Sequence, residues 1–165
     1  LSAEQTYIFD ACAVLALLHQ EEGAEFVAAL LASSESRRLI HAINACEVYY
    51  DIYRQSGENA AQAVESILEK SGLVVDSSWD SHLWQAAGRL KGAWGRISLA
   101  DCFALSLAMR EGGTLVTSDH HELDRFAEAK LCPIRFIRKN PSRLFLARQE
   151  GFGLQIGQCT SEQRP

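Results

Sequence analysis

Five short apolar runs rich in β-branched and aromatic residues, near 7–9, 38–41, 73–75, 114–117 and 134–137, alternate along this chain with longer stretches of helical period. Strands that lead into helices in this way define an α/β fold around a mainly parallel sheet. Helical patterns are expected over 11–19, 24–32, 45–54, 60–69 and 79–90, with Gly23 and the stretch SGEN as punctuation. The clearest helix lies in GRISLADCFALSLAMREGG, where Ser98 supplies an N-cap, apolar residues follow at helical spacing, and Gly112-Gly113 form a stop.

A chain of 165 residues has the length of one domain and buries close to ~70% of its unfolded surface on folding. No apolar run approaches the ~18 residues needed to cross a bilayer, so no membrane segment is expected. The five cysteines, Cys12, Cys46, Cys102, Cys132 and Cys159, are odd in number and scattered, without metal-ribbon spacing. Reduced thiols and a cytoplasmic setting follow. Residues 1–6 lack the basic-then-apolar layout of a secretory signal, which gives the same expectation. Periodicity fades after Arg138, so a domain over 6–138 and an irregular tail over 139–165 are expected.

One aspartate interrupts the apolar stretch YIFDACAVLALL. A carboxylate there is either tied down by neighbouring amides or held for a ligand. Other acids fall in comparable places: Glu47 in NACE, Asp101 in SLAD and Asp119 in TSDHHE. Each has a local explanation, because Asn44 to Glu47, Ser98 to Asp101 and Asp119 to Glu122 all have capping-box spacing. Acids in a first helical turn also gain from the helix dipole, about 0.3–1 kcal/mol each. As a set they point further. In a parallel sheet the C-terminal strand ends form one edge, and ligands bind along it. Asp10, Glu47, Asp101 and Asp119 can therefore converge. Close carboxylates repel unless protons or cations neutralise them, and hard oxygen ligands favour Mg²⁺ or Mn²⁺. Asp76 also ends a strand, and Asp51 lies one turn beyond Glu47; both rank below the four.

IFDACAVLALL, NACEVYY, ISLADCFALSLA and LVTSD, in this order and context, resemble the PIN-domain proteins, specifically the toxin ribonucleases of VapBC-type toxin-antitoxin pairs. The resemblance covers about 7–137. It implies a three-layer α/β/α sandwich, a metal site formed by Asp10, Glu47, Asp101 and Asp119, and a neighbouring hydroxyl at Thr117. It further implies Mg²⁺- or Mn²⁺-dependent cleavage of RNA, a homodimer and a cognate antitoxin partner.

The formal charge of −5 argues against a protein that holds nucleic acid by bulk electrostatics, so any RNA contact must be local. Arg96 and Arg54 are candidate phosphate contacts, set against a plain surface role. Trp79, Trp84 and Trp94 could stack bases, although large aromatics more often pack as buried anchors. Cys12, Cys46 and Cys102 read as small core residues, and His120 and His121 as a solvated helix start. The rival to a nuclease is a non-catalytic PIN-like module that binds RNA or a protein.

Overall fold

The computed structural model describes residues 5–140. Five strands, β1 (Gln5–Phe9), β2 (Ser36–His41), β3 (Val74–Asp76), β4 (Thr114–Thr117) and β5 (Ile134–Phe136), form one sheet in the order β3-β2-β1-β4-β5. Every pairing is parallel. The described helices are α1 (Ala11–Leu18), α2 (Ala24–Ala32), α3 (Ala42–Ser56), α4 (Glu58–Gln62), α5 (Val64–Lys70), α6 (Ser81–Trp94), α7 (Leu99–Glu111) and α8 (His120–Glu128). None is long and apolar enough to cross a membrane.

Successive side chains on a strand point to opposite faces, and the central strands use both. Ile8, Leu39 and Leu115 pack with α6, α7 and α8 on one side. Phe9, Ile40 and Val116 pack with α1, α2, α3 and α5 on the other. These are the three layers of an α/β/α sandwich, and burial on both faces explains why the strands read as apolar runs rather than alternations. Each fully buried side chain of this kind contributes about 1.5–3 kcal/mol.

The stop after α7 needs two glycines for different reasons. Gly112 adopts a left-handed φ of 59° at the C-cap, a conformation that glycine reaches without steric penalty. A Cβ at Gly113 would lie 2.5 Å from Ile8 Cδ1 and 2.9 Å from the Thr6 carbonyl oxygen, so the second glycine lets the chain enter β4 against β1.

Two local expectations change. Helix α3 begins three residues before 45: His41 is its N-cap, with Nδ1 accepting from the Ile43 amide at 3.2 Å, and the Asn44–Glu47 capping box does not form. Asn44 is fully buried instead. Helix α7 carries no single apolar stripe. Ala100 through Ala108 are buried on every side, as expected for a helix enclosed between the sheet and neighbouring helices rather than lying at the surface. Apart from Lys139 and Asn140, the tail expected over 139–165 lies outside the described residues, as does Cys159.

Candidate metal centre

The strand order steps outward from β1 to β2 and β3 on one side and to β4 and β5 on the other. Crossovers reverse between β1 and β4, and that reversal opens a crevice at the C-terminal strand ends. Asp10 follows β1 directly, Thr117 ends β4 with Asp119 two residues beyond, Asp101 lies in the first turn of α7 and Glu47 lies on α3. Their convergence shows in the charges they exert on one thiol. Desolvation, then Asp10, Asp101, Asp119 and Glu47, push Cys12 far above its ordinary pKa.

Asp10 is 1% exposed. Its Oδ1 caps α1 by accepting from the Ala13 amide at 2.8 Å. Its Oδ2 is buried and makes no well-formed hydrogen bond among the described residues, although the Thr117 hydroxyl lies close enough to act on the carboxyl. Burial raises the carboxyl pKa to about 7; the Thr117 hydroxyl and the Ala13 amide oppose the rise, and the charges of Asp119 and Glu47 add to it. One oxygen of Asp10 thus ties down a helix, while the other makes no well-formed bond among the described residues.

Asp101 is set by its own helix cap. Ser98 Oγ accepts from the Asp101 amide at 2.9 Å and donates to Asp101 Oδ2 at 2.6 Å. Burial raises its pKa; the Ser98 hydroxyl opposes this, while Asp10 and Glu122 reinforce it. Asp119 caps α8 through Oδ1, which accepts from the Glu122 amide at 3.0 Å. The fully buried Thr117 accepts from the Asp119 amide at 2.9 Å through Oγ1 and so fixes the turn between strand and helix. Burial, then the charge of Glu122, raises Glu47.

Glu122 is the site residue that the sequence did not reveal as one. Asp101, Asp119 and Glu122 each present a carboxylate oxygen within 4.8 Å of the others. Glu122 Oε2 also accepts from the Ser98 amide at 2.6 Å. In a capping box that amide is met by the residue at N3 of the same helix; here N3 is Asp101, already bonded to the Ser98 hydroxyl, and Glu122 completes the box from α8. The Asp119-to-Glu122 spacing was the only local sign, and it signals a cap. Replacing Glu122 with Ala is expected to destabilise the protein by about 1–3 kcal/mol, because the Ser98 amide loses its acceptor. Glu122→Gln, which keeps an acceptor, is expected to lose much less. Urea midpoints of the two variants check this.

The remaining candidates divide cleanly. Asp76 belongs to an ion pair with Arg110 at 2.7 Å; burial acts to raise its pKa, but Ser78 and Arg110 prevail and hold it low. Asp51 is bonded by Arg54 and Gln55, each at 2.6 Å, and by His19 at 3.3 Å. Arg54 is thereby committed to Asp51, whereas Arg96 is exposed in the turn before α7. Cys102 is core, whereas Cys46 reaches solvent and Cys12, partly exposed, faces the acids that act on its thiol. His120 is no solvated helix start: it stacks on Phe136 at 3.9 Å and contacts Asp124 at 2.6 Å and the Arg138 carbonyl at 2.8 Å. Trp94 packs on Phe126 at 4.5 Å, whereas Trp79 and Trp84 are exposed.

Fold and acids together define a PIN-like α/β domain. Residues 7–129 match the PIN domain family, and the chain belongs to that family. Among curated proteins none matches it in sequence. Several solved structures share the fold. VapBC from Salmonella typhimurium, in a DNA-bound structure, is 16% identical with a TM-score of 0.60, covering 81% of this chain and 99% of that one. VapBC2 from Rickettsia felis, bound to a promoter DNA fragment, is 19% identical at 0.59, covering 80% and 98%. VapC20 from Mycobacterium tuberculosis, a sarcin-ricin loop cleaving toxin, is 17% identical at 0.58, covering 74% and 94%.

The donor set suits a hard divalent cation. All the ligand atoms are carboxylate oxygens, which favour Mg²⁺ or Mn²⁺ over softer metals. Asp10 Oδ2, buried and without a well-formed hydrogen bond among the described residues, is the kind of atom such an ion satisfies.

Proposed function

We propose that this protein is a divalent-metal-dependent endoribonuclease, the toxin of a toxin-antitoxin pair, acting on RNA in the cytoplasm. The observation that carries the reading is the gathering of Asp101, Asp119 and Glu122 at the switch point of a PIN sheet, with Asp10 and Glu47 near enough to interact with them by charge and one oxygen of Asp10 buried without a well-formed hydrogen bond among the described residues. The shared fold of toxins solved with their antitoxins supports a cognate antitoxin as partner. We extend this to a homodimer, and to 6–138 as the nuclease domain with the remainder outside it.

Asp10, Asp101 and Asp119 would hold Mg²⁺ or Mn²⁺, with Glu122 and Glu47 closing the set. When bound, such a cation supplies Lewis acidity, acidifies water near neutral pH and offsets the charge that builds on phosphorus. Asp10 and Asp101, raised by burial, release protons as they take up that role. Ser98 keeps the Asp101 carboxylate in one orientation, and Thr117 does the same for the chain at Asp119. Arg96, exposed two residues before Ser98 and without an acid partner among the described residues, would meet a phosphate; Arg54 would serve only by leaving Asp51.

Cleavage of a labelled, structured RNA by the purified protein tests the reading. Scission with Mn²⁺ or Mg²⁺ that EDTA abolishes is the expected result. Intact RNA under all three conditions would leave a non-catalytic PIN-like module that binds RNA or a protein.

A further inference from the structure

Trp79 is 64% exposed, yet the loop that carries it between β3 and α6 is held from several directions. The Ser78 amide donates to Asp76 Oδ1 at 2.9 Å. His41, whose Nδ1 accepts from an amide, carries its proton on Nε2 toward the Ser78 carbonyl at 3.2 Å. Arg110 reaches Asp76 at 2.7 Å, Asp80 at 3.3 Å and the Ser78 hydroxyl at 3.4 Å. The indole is the outer member of a three-ring stack: Trp79 lies on Phe103 at 5.1 Å and 16°, and Phe103 lies on His41 at 4.7 Å and 22°. One face of the indole is thus covered and the other is open.

The stack stands at the same edge of the sheet as the acids. Parallel pairing brings His41 level with Asp76, and the register of β1 with β2, continued by two residues, and with β4, continued by one, brings Asp10 level with His41 and Thr117. Asp76 and Asp10 are therefore two strand spacings apart, on the order of 10 Å. Phe103 lies two residues beyond Asp101 on α7.

We infer that Trp79 is a stacking platform for a nucleobase of the RNA strand that leads into the acid cluster. This rests on the ribonuclease reading. An ordered aromatic ring at the end of a stack, with its outer face bare, is extended by any base, because every base offers a π-face. Its neighbours Asp76, Ser78, Asp80 and Arg110 are polar and largely paired with each other. They give the ring a polar rim in which the indole face is the apolar surface on offer. In a chain of net charge −5, stacking also supplies affinity that bulk attraction to phosphate does not.

Anisotropy of a labelled single-stranded oligouridine of about ten nucleotides, with Mn²⁺-dependent cleavage measured in parallel, tests the platform. Trp79→Ala is expected to weaken Kd and raise KM about ten- to hundred-fold with kcat unchanged. Trp79→Tyr is expected to restore most of both, and Mn²⁺ affinity to stay the same throughout. Equal RNA binding by wild type and Trp79→Ala overturns the platform alone. So does a Trp79→Ala protein of lower oligomeric mass with RNA binding intact, which would make the ring a protein contact. Wild-type protein that neither binds nor cleaves RNA overturns the ribonuclease reading and the platform with it.

Discussion

Asp10→Asn is expected to stabilise the metal-free protein at pH 8 by a few kcal/mol while weakening its hold on a divalent cation. The carboxyl titrates at 3.8 in an ordinary setting and about 7 in the fold. Between those values the unfolded chain has lost the proton and the folded one retains it. Stability therefore falls as pH rises from about 4 to about 7, and above that the full penalty is in place. A shift of this size corresponds to a few kcal/mol at ~1.4 per pH unit. Asparagine keeps an oxygen for the Ala13 amide and has no charge to bury. Urea midpoints with chelator at several pH values should fall with pH in the wild type and fall less in the variant, the remaining slope coming from Asp101 and Glu47, which burial also raises. Added Mn²⁺ should recover the wild type more than the variant. Parallel pH profiles would contradict the assignment.

Asp101→Asn should abolish cleavage without unfolding the protein. Substituting groups that merely orient metal ligands costs 10–100-fold, so loss of a ligand charge is expected to cost at least about 100-fold in kcat/KM. The Ser98 hydroxyl and amide cap remain available to asparagine, and a buried charge is removed, so the urea midpoint at pH 8 should not drop. Activity within a few-fold of wild type would remove Asp101 from the centre.

Much of this was legible locally. Strands in apolar runs, the Ser98 cap with Asp101 at N3, the Asp119 cap and the glycine stop at 112–113 all depend on a few neighbouring residues, and the structure has them. What the sequence hid depends on distance along the chain. Glu122 joins the acids because the first turn of α8 abuts the start of α7, where Ser98 needs an acceptor. His41 caps α3 in place of Asn44 because its ring is fixed between Phe103 and the Ser78 carbonyl. Asp76 has the same position at a strand end as Asp10, but Arg110, reaching from the far end of α7, neutralises it. Strand order decides these matters, and no local pattern encodes it.

Titrating Mn²⁺ by calorimetry into the chelator-treated protein near pH 7, in two buffers of different protonation enthalpy, tests the metal centre most directly. Saturable binding with release of protons, reflecting the raised carboxyls of Asp10 and Asp101, and its loss in Asp101→Asn, is the expected result. No binding heat in either buffer, with urea midpoints indifferent to Mn²⁺, would contradict it and leave the acids as helix caps.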